Sequence, residues 1–329
     1  MEIKAADVAK LRKMTGAGMM DCKNALVEAG GDFNRAQEII REKGKLVAAK
    51  RADRETTEGA VVARINGSKA ILVSLGCETD FVAANEEFKA LANAIADAAI
   101  AAFPADKEAL GEAKLADGRT VTEAITEQTG KSGEKHVIAY YATLEAPCIG
   151  SYIHFTHKDG ALVGFNKEVP ADLGKHIAMQ VTSMKPVAVN AESVPENIVK
   201  QELEVATEKT KEEQVRKAVD AALKKAGINP AHCDSEDHIE SNTAKGWLTP
   251  EQAAQARDII KTVSAEKAAN LPAAMIENIA KGRLAKFFKE QTLEEQEFVM
   301  EGKVSVKDYI ASIDKDAKVT AFRRFSLSD

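Results

Sequence analysis

Apolar residues near the start of the chain recur at helical spacing and are interrupted by glycines. Val8, Leu11 and Met14 lie three residues apart, a period that predicts one buried face of an amphipathic helix. Glycines end this run and the next one, and Asp32 precedes a third run as a candidate helix cap. The pattern predicts a three-helix module over residues 1–45, followed by a basic, solvated linker over residues 46–57.

The spacing of apolar residues changes from helical to alternating at Gly59. Val61, Ala63 and Ile65 follow period two, and Asn66-Gly67 comes directly after them, which predicts a β-hairpin. We assign residues 58–146 to the N subdomain of a core. Its further predicted elements are a return strand through Ile71, Val73 and Leu75, an alanine-rich helix from Thr79 to Ile100, and a strand at His136–Leu144.

A similar order of hairpin and helix recurs in the next segment, which suggests an internal duplication and an α+β fold with antiparallel sheets. The C subdomain of the core is assigned to residues 147–198 and 292–329, because a last strand at Val319–Leu327 would have to return to the second sheet. The other predicted elements are strands at Ser151–Thr156 and Ala161–Phe165 and a helix at Ala171–Met184.

Residues 199–291 differ in character from the segments on either side. They are highly charged with a narrow apolar stripe, a pattern typical of a projecting helical hairpin or coiled coil. We therefore predict a helical insertion into the second subdomain. Its predicted elements are helices at Val199–Lys225, Glu251–Glu266 and Ala273–Glu290, with a polar loop without regular structure at Gly227–Thr249.

Composition narrows the class of protein. The chain has 329 residues, 45% apolar and 29% charged, with a formal net charge of −6, which is typical of a globular protein and opposes a general nucleic-acid binder. The four cysteines form no CxxC pair, the charged start lacks a signal-peptide pattern, and no apolar run is long enough for a membrane span. We therefore expect a reduced, cytoplasmic protein that does not bind a membrane.

Motifs for enzymatic chemistry are absent from the sequence. It contains no GxxxxGK[ST], GxGxxG, GxSxG or HExxH pattern, so we predict neither an enzyme nor a bound cofactor. His232, Cys233 and His238 leave a zinc site as an alternative, although their spacing fits no standard zinc site.

Several short motifs, in the same order and spacing, resemble those of the translation elongation factor Ts family. The resemblance covers residues 1–198 and continues from about Ala273 to the end of the chain. The matching runs are LR at residues 11–12, TGAGMMDCKNAL at 15–26, ETDFVA at 78–83, GSYIH at 150–154, HIAMQV at 176–181, FVM at 298–300 and FRRF at 322–325.

The resemblance implies a guanine nucleotide exchange factor that binds the GTPase elongation factor Tu and accelerates release of GDP. It also implies that the three-helix module is of the ubiquitin-associated type and contacts the nucleotide-binding domain of that partner. The residues that match family contact positions are Arg12, Met19 and Met20 in this module, Thr79, Asp80, Phe81 and Val82 in the segment that dislodges the partner's magnesium, and His154 in the C subdomain.

Each of these residues also has a purely structural interpretation. Phe81 could be an ordinary core residue and Asp80 a helix cap. Adjacent Met19 and Met20 would place one side chain inside and one outside. His154 could be an exposed strand residue, and Arg12 could merely pair with a neighbouring carboxylate.

The sequence departs from the family pattern in three places. The insertion is longer than in the best-known members, and this region mediates dimerisation in some relatives, so a homodimer is a further prediction. We also expect the chain to lack a C-terminal helix that some relatives carry after the position of Asp329, and Gln180 stands where some relatives have a second histidine in the HIAM block. Two rival functions remain, namely a ubiquitin-associated-type adaptor without exchange activity and a nucleic-acid-binding helical protein.

Overall fold

The computed structural model describes residues 3–329 and divides into two compact units. Among the described residues, unit 1 comprises residues 3–189 and 297–329, and unit 2 comprises residues 190–296. The strands are β1 (Glu58–Asn66), β2 (Lys69–Cys77), β3 (Val137–Glu145), β4 (Cys148–Ile153), β5 (Asp159–Phe165) and β6 (Val319–Ser326). The helices are α1 (Ala5–Thr15), α2 (Met19–Glu28), α3 (Phe33–Lys50), α4 (Asp80–Ala83), α5 (Glu86–Ala102), α6 (Lys107–Glu112), α7 (Val121–Ser132), α8 (Ala171–Met184), α9 (Glu196–Lys225), α10 (Glu236–Ala244), α11 (Pro250–Ala269), α12 (Ala273–Gln291) and α13 (Val306–Ile313).

Helices α1–α3 enclose a small apolar core built around Leu11, Leu26 and Ile39. Gly16 ends α1 in the left-handed conformation at φ 69°, which glycine adopts without a steric penalty. The Asp32 carboxylate caps α3 by accepting hydrogen bonds from two backbone N–H groups. Gly44 lies inside α3, and because no further glycine or proline follows it, the helix continues through Lys50. The first residues of the linker predicted at 46–57 are therefore helical.

Two antiparallel three-stranded sheets form the centre of unit 1, in the orders β1-β2-β3 and β4-β5-β6. The predicted hairpin is confirmed, because Asn66 pairs with Lys69 across a two-residue loop. The last strand returns to the second sheet as predicted, with Val163 of β5 opposite Phe322 of β6.

The two sheets share apolar contacts. Leu72 and Leu144 of the first sheet pack in one buried cluster with Leu162 of the second. Helix α5 covers the first sheet with Phe88 and Ile95. The α+β class predicted from the sequence is therefore confirmed, and both sheets lie in one compact unit.

Unit 2 is helical, and α9 packs against both α11 and α12. The expectation of a structureless loop at residues 227–249 is wrong, since that segment contains a short 3-10 helix at Pro230–His232 and helix α10. Ser235 caps α10, and Ile239 is buried with Leu223. These buried contacts explain why a polar-looking segment folds.

None of the described helices in either unit is long and apolar enough to cross a membrane.

Candidate functional site

The segment after β2 places two adjacent side chains in solvent at a tight turn. Predicted as the start of one helix from Thr79 to Ile100, it forms the four-residue α4 instead, and α5 begins anew after Asn85, which caps it. Thr79 caps α4 by accepting a hydrogen bond from the N–H of Val82, which packs against the core of the first sheet. Because neighbouring helical residues point about 100° apart, Asp80 and Phe81 face away from that core.

Phe81 is 85% exposed, the largest exposed fraction of any large apolar side chain among residues 3–329. Its structural interpretation as a core residue is therefore wrong. The carboxylate of Asp80 is exposed and makes no hydrogen bond or ion pair with the described part of the chain, so it does not cap α4. An apolar ring beside a free carboxylate is available for contact with another molecule.

The carboxylate of Glu134, between α7 and β3, holds the base of this turn. Its Oε2 accepts hydrogen bonds from the N–H groups of Glu78 (3.2 Å) and Thr79 (3.1 Å). Its Oε1 accepts a third from the Thr79 hydroxyl at 2.6 Å. Charged acceptors make stronger hydrogen bonds than neutral ones, so Glu134 fixes the backbone from which Asp80 and Phe81 project.

A second set of contacts ties this base to the end of α3. The Glu78 carboxylate pairs with Arg51 at 2.9 Å and accepts a hydrogen bond from the Lys135 N–H at 2.7 Å. The Lys135 ammonium donates to the carbonyls of Ala52 (2.6 Å) and Arg54 (2.8 Å). The segment that follows the three-helix module and the exposed turn are therefore joined through the same residues.

The buried titratable groups beside the turn are held in their neutral forms. Burial raises the pKa of the Cys77 thiol to about 12, and this thiol donates a hydrogen bond to the Thr79 carbonyl. Burial also lowers the pKa of His136, whose ring lies against Phe88. A protonated thiol is a poor nucleophile, so Cys77 supports the turn and offers no covalent chemistry.

Removing the Glu134 carboxylate should loosen the turn. In Glu134→Ala, two backbone N–H groups and the Thr79 hydroxyl lose their acceptor. Hydrogen bonds to charged groups contribute about 1.5–3 kcal/mol each, so we expect faster hydrogen exchange at residues 78–82. Mass-spectrometric hydrogen exchange measures this, with Glu87→Ala, an exposed carboxylate at the start of α5, as the control. Equal exchange in both variants would contradict the role of Glu134.

A groove of about 490 Å³ runs beside Asp80 and joins it to the second sheet. The edge strand β1, helix α4 and the start of α5 line it, together with the end of β4 and the loop between β4 and β5. The loop is attached to β1 by a hydrogen bond from the N–H of Val61 to the carbonyl of His157, at 2.7 Å. The predicted contact residues Asp80 and His154, far apart in sequence, thus lie on segments that border one groove.

His154 follows β4 and lies in this loop, so its assignment to a strand is wrong. Its side chain is half-buried, and Nδ1 lies 3.0 Å from the hydroxyl of Tyr152. The ring also lies against that of Phe155, with 4.4 Å between their centroids.

Helices α1 and α2 present the other predicted contact residues. Met19 and Met20 are 49% and 63% exposed, so the expected split of one buried and one exposed side chain is wrong. Arg12 is exposed and forms no ion pair within residues 3–329, which contradicts the alternative that it pairs with a neighbouring carboxylate. Flexible methionine side chains are well suited to an adaptable contact surface.

The three-helix module packs on the rest of unit 1 through α3 and α7. The helices approach so closely at Gly44 and Gly130 that a Cβ atom on Gly130 would lie 2.8 Å from the Gly44 Cα. Since α7 leads directly to Glu134, the module and the exposed turn are connected through one helix.

The cluster considered for zinc does not converge. Cys233 is buried in the apolar core of unit 2, and burial raises the pKa of its thiol. His238 contacts Asp234, and the His232 ring lies 5.5 Å from that of Trp247. No group of three or more potential metal ligands is assembled within residues 3–329.

Two residues of the candidate site, Glu134 and Phe155, were not predicted from the sequence. Glu134 is a single carboxylate in a polar segment, and its partners lie 55 and 56 residues away. Phe155 is an aromatic residue within the strand predicted at Ser151–Thr156. No local sequence signal distinguishes an exposed aromatic ring from a buried one in such a run. Its position next to His154 was the only available indication.

Comparison with known proteins gives one consistent result. Residues 78–329 match the family described as elongation factor TS. Similar proteins named elongation factor Ts occur in Bacteroides fragilis (53% identity), Bacteroides thetaiotaomicron (50%) and Christiangramia forsetii (39%). Each similarity covers 99% of this chain and 99% of the relative.

Proposed function

This chain belongs to the elongation factor Ts family, and from that membership we propose that it is a guanine nucleotide exchange factor for elongation factor Tu. It binds the GDP form of this GTPase in the cytoplasm, disturbs the magnesium and phosphate site, and promotes GDP release so that GTP can bind. The exposed Asp80–Phe81 pair on its braced turn is the observation that carries the proposal.

The action follows from the chemistry of Mg²⁺. The ion requires nearly ideal octahedral geometry and is held through one or two carboxylates and the nucleotide phosphates. A small displacement of its surroundings therefore weakens nucleotide binding strongly. Phe81 acts as an apolar wedge between partner side chains, and Asp80 repositions groups around the ion without becoming a ligand itself.

Thr79 and Val82 have a different part in this proposal. Their side chains are engaged within the chain, Thr79 with Glu134 and Val82 with the core. They hold the turn so that Asp80 and Phe81 meet the partner in one geometry. Little conformational entropy is then lost on binding, and more of the contact energy is available to distort the partner.

Exchange is reversible through thermodynamic linkage. If the factor weakens nucleotide binding, nucleotide weakens factor binding by the same ratio. Typical coupling of about 1–3 kcal/mol changes affinity by about 5- to 150-fold. GTP binding thus expels the factor, and the chain undergoes no covalent change.

The module of residues 1–45 supplies a second contact. We propose that Arg12, Met19 and Met20 bind the nucleotide-binding domain of the partner, and that His154 binds it from the C subdomain. The exposure of both methionines supports this arrangement. Dimerisation through the insertion predicted at residues 199–291 stays a prediction, which light scattering of the purified chain would test.

Release of a fluorescent GDP analogue from elongation factor Tu tests the function. The wild-type chain should accelerate release, whereas an adaptor would bind the GTPase and leave the rate unchanged, and a nucleic-acid binder would do neither. Absence of acceleration at saturating wild-type chain would overturn the proposed function.

Asp80→Ala should reduce the maximal rate of release by about tenfold, which corresponds to about 1.4 kcal/mol. The exposed carboxylate makes no hydrogen bond or ion pair within the described chain, so the folded state should be unaffected. Glu87→Ala provides a control for the loss of one exposed negative charge nearby. A rate equal to that of wild type would remove Asp80 from the mechanism.

A further inference from the structure

Phe155 is nearly as exposed as Phe81. The two rings are 82% and 85% exposed, and the next most exposed large apolar side chain within residues 3–329, Met20, reaches only 63%. The mechanism proposed above uses Phe81 and gives Phe155 no part. Aromatic side chains dominate the binding energy of protein interfaces, so a second ring held in solvent calls for a binding role.

A row of rings supports Phe155. Tyr152 lies edge-on to His154 at 6.1 Å between centroids, and His154 lies against Phe155 at 4.4 Å. The Tyr152 hydroxyl is 3.0 Å from His154 Nδ1. When that hydroxyl donates to Nδ1, the Nε2 atom carries the proton and can donate to a partner. The row therefore presents an apolar ring next to a hydrogen-bond donor.

The loop that carries Phe155 is closed by backbone hydrogen bonds. The His154 N–H donates to the Asp159 carbonyl, and the His157 N–H donates to the His154 carbonyl, both at 2.9 Å. His157 has a φ of 58°, in the left-handed region that is uncommon for residues other than glycine. Such strained residues cluster at functional sites, and here the bond from Val61 to the His157 carbonyl holds the loop in place.

The loop also borders the groove that contains Asp80. Ile153, Thr156 and His157 line it together with Asp80 and Ala83. Phe155 and Phe81 therefore extend from segments that flank one continuous surface of unit 1. A partner that covers Asp80 and Phe81 therefore lies beside the groove that the His154–Phe155 loop also borders.

We propose that Phe155 is a second aromatic anchor for the same GTPase, an inference that rests on the proposed function. It inserts into an apolar pocket of the partner bordered by a hydrogen-bond acceptor that His154 Nε2 contacts. Its role differs from that of Phe81. Phe155 binds the nucleotide-bound and nucleotide-free partner equally well, so it adds affinity without adding distortion. Only a contact that differs between the two states can shift the equilibrium between them.

The dependence of the GDP release rate on factor concentration separates the role of Phe155 from that of Phe81. The release rate of fluorescent GDP from elongation factor Tu is measured against the concentration of each full-length variant. Phe155→Ala should raise the half-saturating concentration by about tenfold or more and leave the maximal rate unchanged. Phe155→Tyr keeps the ring and should restore the wild-type value. Trp247→Ala, which removes an exposed aromatic ring of unit 2, is the control.

The outcomes are distinct. An unchanged half-saturating concentration for Phe155→Ala would overturn the inference, and so would a reduced maximal rate. The thermal midpoint of each variant is measured alongside, and an unchanged midpoint assigns the loss of affinity to the missing contact. If the wild-type chain itself fails to accelerate release, the proposed function fails, which is a different result from failure of the anchor alone.

Discussion

Phe81→Ala should lower the maximal rate of GDP release from elongation factor Tu by about a hundredfold. The ring is 85% exposed and lies on a turn fixed by the Glu134 carboxylate. Interface hot spots contribute about 2–4 kcal/mol when truncated to alanine, and about 2.7 kcal/mol corresponds to a factor of a hundred. The loss should appear in the maximal rate because the wedge acts on the bound partner.

The thermal stability of Phe81→Ala is the control for this variant. A ring that contacts mainly solvent adds little to the folded state, and surface changes are usually within ±0.5 kcal/mol. The thermal midpoint of Phe81→Ala should therefore stay within about 2 °C of wild type. Phe81→Leu keeps part of the apolar volume and should retain an intermediate rate. Full activity of the alanine variant would remove the wedge from the mechanism.

Gly150→Ala should have the largest effect on stability. A Cβ atom on this residue of β4 would lie 2.3 Å from the carbonyl oxygen of Gly174 in α8 and 2.6 Å from its Cα. Backbone atoms cannot rotate away, so α8 must move off the second sheet. Overpacking costs about 1–3 kcal/mol and occasionally more. We expect about 3 kcal/mol, or a decrease of about 6–12 °C in thermal midpoint.

Gly44→Ala is the matched control in the same unit. A Cβ atom there would lie 3.6 Å from the carbonyl oxygen of Thr126, an ordinary van der Waals distance. Alanine also favours the helical conformation by about 1 kcal/mol over glycine, so Gly44→Ala should be neutral or slightly stabilising. Scanning calorimetry of both variants measures the difference. Equal midpoints would contradict the close packing of β4 on α8.

Long periodic segments were predictable because their signal is local. The helix predicted at Ala171–Met184 has those bounds in the structure, and the hairpin at Asn66-Gly67 forms with the expected pairing. Family membership also followed from the sequence, since the short motifs occur in order. Turn chemistry and amphipathic periodicity act over a few residues, so the chain itself carries that information.

The segment at residues 227–249 shows a structure that local sequence composition does not predict. Its polar composition suggested a loop, yet Ile239 packs with Leu223 and Leu248 in the core of unit 2. Few apolar residues sufficed because the long helices on either side supply the rest of the core. Sequence composition does not reveal what packs opposite a segment, and burial depends on that.

The sequence by itself determined the fold class, the family and the residue types at the turn. Only the tertiary structure decided that Phe81 faces solvent, that Glu134 fixes its backbone from 55 residues away, and that the Phe155 loop borders the same groove. The physical reason is that exposure and bracing depend on contacts between segments distant in sequence. Such contacts exist only once β2 has paired with β3 and the two sheets have packed together.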